Sequence, residues 1–234
     1  MGRGPKPARA AQAMDRPAHA RGRSRARLFD LGLRQRQGAG LRRSALAAAA
    51  LLPERVAAVA ALAPVAPYDV EGLDFFAGMG EQNVEEFGVI FDGEEAHRAS
   101  MEKQRAQLLA AKPEELVELW QTLLGPADRE VATGEFAAEL LEHMRAGIEP
   151  GGDGWFDDDL AFVSPWGFDL ATIRIPVLLC QGEQDKFVPF GHGVWLSNHI
   201  PGVESHLSPD DGHITLAERR MPEVHAWLLD RFDA

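Results

Sequence analysis

Three apolar runs along the chain predict β-strands. Arg55–Pro64 and Ile175–Gln181 are almost continuously apolar, and Val203–Leu207 is a shorter run. A strand that is covered on both faces of a parallel sheet shows such runs instead of a strict apolar–polar alternation. Because predicted helices separate the runs, the order of elements predicts an α/β fold with a parallel sheet.

Helical spacing of apolar residues dominates the rest of the chain. Ala45–Leu52 consists of strong helix formers and is followed by Pro53. Two further helices are predicted on either side of the last strand, over Phe187–His199 and Ile214–Phe232. Residues 71–150, between the first two strands, are predicted to be mostly helical, which is the form of a lid domain.

Local signals divide this helical stretch. Asp92 with Glu95 indicates a helix start of the capping-box type, and Pro113 fits the first turn of a helix that ends at Gly125. Apolar residues recur at every fourth position in a third helix, which is followed by Gly147. Residues 151–154 are predicted to form a loop, and the Asp157–Asp159 run after it is interpreted as a solvated acidic loop.

Composition limits the class of protein. The chain has 234 residues, which fits one domain or one domain with an insertion. Its hydrophobic content is 45% and its mean hydropathy is −0.21, so we expect a soluble globular protein. No apolar run approaches the roughly 18 residues that a membrane span needs. The single cysteine, Cys180, fits a reducing compartment, and a cytoplasmic protein without membrane association is expected.

Charge divides the chain sharply. Residues 1–43 have a net charge of +10, whereas residues 44–234 have a net charge of −22. The basic segment is rich in Arg, Ala and Gly and has little apolar periodicity, so we expect it to be disordered. Four interpretations stay open: an arm that binds nucleic acid, a transit peptide, a segment translated out of frame, or a disordered tail.

The candidate chemistry lies where two predicted strands end. Asp185 follows the strand that closes at Gly182, and His213 follows the last strand after Asp210-Asp211-Gly212. In open α/β sheets the carboxyl ends of the strands carry the chemistry. A buried Asp that accepts from His Nδ1–H fixes the tautomer, and the other ring nitrogen then acts as a base. Asp185 could also cap the helix that follows it, and His213 taken alone could be a solvent-facing loop residue.

Other candidates have simpler explanations. His192, His199, His206 and His213 recur every seven residues, but Pro201-Gly202 interrupts any common helix face, so a metal site is not expected. Cys180 lies inside an apolar strand and is interpreted as a core residue. Trp155 and Trp166 are interpreted as packing residues that could also line a substrate pocket. No phosphate-binding loop or Rossmann fingerprint occurs, so no cofactor is predicted.

From about Ala45 onward, the chain resembles the C-terminal two-thirds of the α/β-hydrolase fold family. The resemblance rests on the segments Leu-Leu-Pro-Glu-Arg-Val (51–56), Pro-Trp-Gly-Phe-Asp (165–169), Gly-Glu-Gln-Asp-Lys-Phe-Val-Pro (182–189) and Asp-Gly-His (211–213). It implies a core built from residues 44–70 and 161–234, with residues 71–160 as a helical cap. It also implies hydrolysis of a small ester or related bond by a nucleophile, an acid and a histidine in that chain order.

The nucleophile that the resemblance implies is not recognisable. None of the seven serines has glycine at both the second position before it and the second position after it, so the Gly-x-Ser-x-Gly elbow is absent. The usual spacing puts the elbow at residues 37–41, with Ala39 at the nucleophile position. Ser44 is the nearest hydroxyl, but it lies where the helix should already have begun.

Two functional hypotheses follow. The first is an α/β-hydrolase family protein, truncated or frame-disrupted at its N-terminus, that retains Asp185 and His213, acts on a small-molecule substrate and is impaired as written. Its three evident strands would leave an open sheet edge, so we expect marginal stability. The second is a non-catalytic binding or interaction protein whose basic arm contacts nucleic acid, although a nucleic-acid partner is the less favoured prediction. The oligomeric state stays open.

Overall fold

The computed structural model describes residues 38–232, with side chains from Ala45 onward. Most of the predicted disordered segment 1–43 therefore lies outside the described residues. Its last six residues lie within the first helix, α1, which spans Gly38–Leu51. The structure confirms a helix over the Ala-rich run before Pro53 and extends it toward the N-terminus.

The three predicted strands form one parallel sheet. They are β1 (Val59–Leu62), β2 (Val177–Gly182) and β3 (Glu204–Ser208), in the order β1-β2-β3. Val59 pairs with Val177, and Gly182 pairs with Ser208. Every residue of β1 and β2 is buried, whereas β3 is largely exposed or half-buried. Burial on both faces explains why the first two strands are continuously apolar in sequence.

Helices cover the sheet and create two apolar cores against it. The helix α8 (Phe190–His199) joins β2 to β3, and α9 (His213–Phe232) follows β3. One core contains α1, α8 and side chains of β1 and β2, including Leu46, Leu179 and Leu196. The other lies between the sheet and α9, around Leu178 and Leu216. The sheet is therefore fixed between helices, and the loops at its carboxyl edge have defined positions.

A helical segment, residues 81–163, lies between β1 and β2 and has its own apolar core. Leu116, Leu140 and Met144 are among the buried side chains of this core. Ile214 of α9 belongs to the same core, so the segment packs directly on the helix that begins with His213. The segment consists of α2 (Glu81–Phe91), α3 (Glu94–Ala110), a 3-10 turn (Pro113–Glu115), α4 (Leu116–Leu119), α5 (Pro126–Val131), α6 (Gly134–Ile148) and α7 (Asp153–Val163).

Two local predictions in this segment are wrong. The Asp157–Asp159 run is part of α7 instead of a solvated loop, because Trp155 and Phe156 bury one face of that helix and Asp159 is itself buried. The capping box at Asp92 does not form, since Asp92 ends α2, and Gly93 precedes α3 without a side-chain cap. In both places tertiary packing and the preceding helix outweigh the local sequence signal.

Candidate active site

Asp185 lies in the loop that follows β2, and its carboxylate is held from several sides. Oδ1 accepts hydrogen bonds from the backbone N–H groups of Phe187 and Val188, each at 2.8 Å. Gln181 Nε2 donates to Oδ2 at 3.3 Å and to the Val188 carbonyl at 2.8 Å. The Asp185 side chain has no exposed surface. These contacts close the loop before α8, which begins at Phe190, so Asp185 shapes the turn and is not the cap of that helix.

His213 is the first residue of α9, and its imidazole contacts Asp185. Nδ1 of His213 lies 2.8 Å from Oδ2 of Asp185, and only 6% of the His213 side chain is exposed. An ionised carboxylate can only accept in this contact, so the tautomer that fits it carries the proton on Nδ1 and leaves Nε2 as the basic nitrogen. The Phe187 ring lies against the imidazole, with the two centroids 4.8 Å apart. The structure therefore brings together the two residues that the sequence singled out.

Strand pairing explains why residues 28 positions apart meet. Because β2 and β3 are adjacent and parallel, the loops leaving their carboxyl ends run side by side. Glu183 N donates to the Ser208 carbonyl at 2.8 Å, and Gln184 N donates to the Asp211 carbonyl at 3.0 Å. Gly182 permits this approach, since a Cβ at that position would lie 2.3 Å from the Asp211 carbonyl oxygen. The backbone contact thus requires glycine at the end of β2.

Sequence reasoning missed Asp128, a fully buried residue of α5 beside this pair. Its carboxylate accepts hydrogen bonds from the backbone N–H groups of His213 at 2.8 Å, Ile214 at 3.1 Å and Thr215 at 3.0 Å. The Thr215 hydroxyl donates a further hydrogen bond to it at 2.9 Å. No signal in the sequence pointed to this residue, because its partners lie more than 80 positions further along the chain.

The four histidines at intervals of seven do not form a cluster. His192 is fully buried; its Nδ1 accepts from Ala66 N at 3.0 Å, and its Nε2 donates to the Phe75 carbonyl at 2.8 Å. Burial lowers the pKa of His192 below its usual value. His199 stacks on Trp195, and His206 lies between two glutamates. Among residues 38–232, no group of three His, Cys, Asp or Glu side chains could hold a metal ion.

Neither Ala39 nor Ser44 has a described side chain, although both lie within the backbone of α1. The structure therefore places neither residue relative to His213.

Cys180 is buried inside β2, and burial raises the pKa of its thiol to about 12. A thiol that stays protonated is a poor nucleophile, which agrees with the interpretation of Cys180 as a core residue.

An open cavity of about 270 Å³ lies among α2, α3 and α4 of the helical segment. Its apolar wall includes Leu119, Trp120 and Leu123, and its polar wall includes Glu86 and Lys103. Trp155 and Trp166 do not line this cavity, since Trp155 is buried in the core of the helical segment and Trp166 in the core on α1.

Trp120 connects the cavity to the Asp185–His213 pair. Its ring is nearly perpendicular to that of Phe187 at a centroid distance of 5.5 Å, and Phe187 in turn lies against His213. No helix in the described part of the chain has the length and apolarity to cross a membrane.

Solved structures resemble the described chain in fold. The meta-cleavage product hydrolase CumD from Pseudomonas fluorescens superposes with a TM-score of 0.51 and 16% identity, over 82% of this chain and 61% of that one. The enol-lactonase from Burkholderia xenovorans gives a TM-score of 0.51 and 16% identity, over 82% and 62%. A Mycobacterium tuberculosis protein gives a TM-score of 0.50 and 17% identity, over 82% and 62%.

These likenesses show that the chain has the α/β-hydrolase fold, as the sequence motifs implied. The chain spans about three fifths of the length of these structures. No protein-family model and no curated protein matches the chain.

Proposed function

We propose that Asp185 and His213 are the acid and the base of a Ser–Asp–His type hydrolase that acts on a small ester or a related bond. The observation that carries the proposal is their buried 2.8 Å contact at the carboxyl ends of two adjacent parallel strands. In this arrangement Asp185 holds the Nδ1–H tautomer and stabilises the imidazolium, while Nε2 takes the proton from a nucleophile.

The substrate class rests on the fold and on the helical segment. One structure of similar fold is a meta-cleavage product hydrolase and another is an enol-lactonase, and both names denote hydrolysis of small organic molecules. The helical segment adds support, because Trp120 of this segment contacts Phe187, which lies against His213. We propose that the helical segment acts as a cap over the Asp185–His213 pair.

The sequence as written is proposed to be impaired as a catalyst. It contains no Gly-x-Ser-x-Gly elbow, and Asp185 and His213 do not supply a nucleophile by themselves. A triad without its nucleophile retains only the residual catalysis that substrate binding and an oxyanion hole provide.

Hydrolysis of 4-nitrophenyl acetate by the purified chain tests the proposal, with fluorophosphonate labelling to detect a reactive serine. We expect no labelling and no turnover above that of Asp185→Asn. The unmodified chain could instead hydrolyse the ester, with turnover that falls in Asp185→Asn and His213→Ala but not in the matched buried-carboxylate control Asp159→Asn. This result would show that the chain is not impaired, and it would support the roles of Asp185 as acid and His213 as base. Turnover that is independent of both residues would contradict the roles themselves.

The division of charge favours a second candidate function. A net charge of +10 in residues 1–43 suits an arm that neutralises phosphates, with the acidic remainder as a non-catalytic body. Binding of duplex DNA that weakens steeply with salt and disappears on deletion of residues 1–43 would support this function. Absence of binding at low salt would eliminate it.

A further inference from the structure

The first turn of α9, which carries His213, is capped by a residue from the helical segment. The first N–H groups of a helix have no partner within the helix, and a nearby serine, threonine, aspartate or asparagine usually accepts from them. Gly212, the residue just before α9, has no side chain that could do so. The Asp128 carboxylate takes this position and accepts from the backbone N–H groups of His213, Ile214 and Thr215.

The fit between Asp128 and Gly212 is close. A Cβ at Gly212 would lie 2.4 Å from Oδ2 of Asp128, so the carboxylate occupies the space that a side chain at position 212 would need. The Thr215 hydroxyl donates to the carboxylate at 2.9 Å and accepts from Gly212 N at 2.7 Å, which ties the loop to the same anchor. The negative charge also lies at the positive end of the helix dipole, where an anion is stabilised.

The short helix α5 also contacts the loop of Asp185. Ala127 N donates to Oε1 of Gln184, the neighbour of Asp185, at 3.1 Å. A Cβ at Gly125 would lie 2.2 Å from the Gln184 carbonyl oxygen, so the backbones of the two segments touch there. One end of α5 therefore contacts the loop with the acid, and Asp128 contacts the helix with the base.

We infer that Asp128 is a positioning residue that sets the place of His213 relative to Asp185 through the first turn of α9. The inference rests on the proposed function, since it gives His213 the role of base. Displacement of α5 from α9 would remove this cap, so the position of His213 depends on the packing of the helical segment against α9.

The test compares the full chain with Asp128→Ala, Asp128→Asn, Asp185→Asn and the matched control Asp159→Asn, a buried carboxylate of the same helical segment. Two quantities are measured by NMR: amide exchange along α9, and the low-field signal of the His213 Nδ1 proton that bonds to Asp185. In Asp128→Ala we expect exchange at His213–Thr215 to rise roughly tenfold, and the low-field signal to broaden or vanish. Asp128→Asn keeps one acceptor oxygen and should give a smaller effect in the same direction.

Exchange at Leu228 and Leu229, at the far end of α9, should not change in any folded variant. The inference is overturned if exchange at His213–Thr215 stays within about twofold of the unmodified chain in both Asp128 variants, or if Asp159→Asn causes the same rise. It is also overturned if the cap is lost but the low-field signal is unchanged. A low-field signal that is insensitive to Asp185→Asn would instead refute the pair in the proposed function.

Discussion

Two regions of the molecule contain a buried His–Asp pair with nearly the same contact distance. At the strand ends, His213 Nδ1 lies 2.8 Å from Asp185. In the helical segment, His97 Nε2 of α3 lies 2.9 Å from Asp159 of α7. Both histidines are almost fully buried. Distance and burial therefore do not separate a candidate catalytic pair from a pair that joins two helices.

The surroundings of the two pairs differ. Asp185 lies in a loop where backbone N–H groups fix its carboxylate, and His213 begins a helix at the carboxyl edge of the sheet. His97 lies within a helix, against the Phe156 ring, and its Nδ1 is buried with no hydrogen-bond partner among the described residues. The His97–Asp159 pair joins two helices, whereas the edge of a parallel sheet is where α/β folds place their ligands. Position in the fold, not the contact itself, distinguishes the two.

The largest expected difference between the regions is the cost of removing each carboxylate. Asp185→Ala leaves the Phe187 and Val188 N–H groups buried without their acceptor, and its unfolding free energy should fall by about 4 kcal/mol. Asp159→Ala should cost about 2 kcal/mol, because 11% of the Asp159 side chain is exposed and water can reach the donor left behind. Urea denaturation measures both values. If the two variants lost the same free energy of unfolding, the two pairs would contribute equally to stability, and the expected difference between the regions would be ruled out.

The same glycine-to-alanine change should have opposite signs in the two regions. Gly182→Ala places a methyl group 2.3 Å from the Asp211 carbonyl oxygen and should lower the unfolding free energy by about 2 kcal/mol. Gly88→Ala, in α2 of the helical segment, has no neighbour within 4 Å and should raise it by about 0.7 kcal/mol through better helix propensity. Thermal denaturation of both variants measures the difference. A stabilised Gly182→Ala variant would contradict the close approach of the two loops.

The smallest expected difference is in the response to pH. Near the strand ends, burial lowers the pKa of His192 from 6.5. The unfolded chain therefore binds the proton more readily, and stability is lost as the pH falls below 6.5. In the helical segment, burial and the charge of Asp157 raise the pKa of Asp158 from 3.8 to about 6. Here the folded chain binds the proton more readily, and stability is lost as the pH rises from 3.8 through 6.

Two variants isolate these contributions in denaturation curves measured between pH 4 and pH 7. The stability advantage of the unmodified chain over His192→Gln should shrink as the pH falls below 6.5. Asp158→Asn should be more stable than the unmodified chain at neutral pH and should lose that advantage, about 1 kcal/mol, toward pH 4. Parallel pH profiles for the unmodified chain and either variant would rule out that residue as a source of the pH response.

Apolar periodicity predicted the sheet well and the helical segment only in part. Every residue of Val59–Leu62 and Val177–Gly182 is buried. A strand that is buried on both faces has a continuous apolar sequence whichever elements cover it, so the sequence alone revealed these two strands. The Asp157–Asp159 run was misread because a triplet of acids resembles a solvated loop. Its place in α7 depends on Trp155 and Phe156 packing into a core built by distant helices, and on His97 meeting Asp159.

The sequence by itself determined the strands, their parallel arrangement and the two residues at the strand ends, because each of these depends on local pattern and on the general behaviour of α/β sheets. Only the tertiary structure decided that Asp185 and His213 touch, that Asp128 caps the helix beginning with His213, and that a second His–Asp pair is buried between helices. These contacts join residues that are 28, 85 and 62 positions apart. No local pattern encodes such pairings, since they arise when separate elements pack and their unsatisfied polar groups need partners away from water.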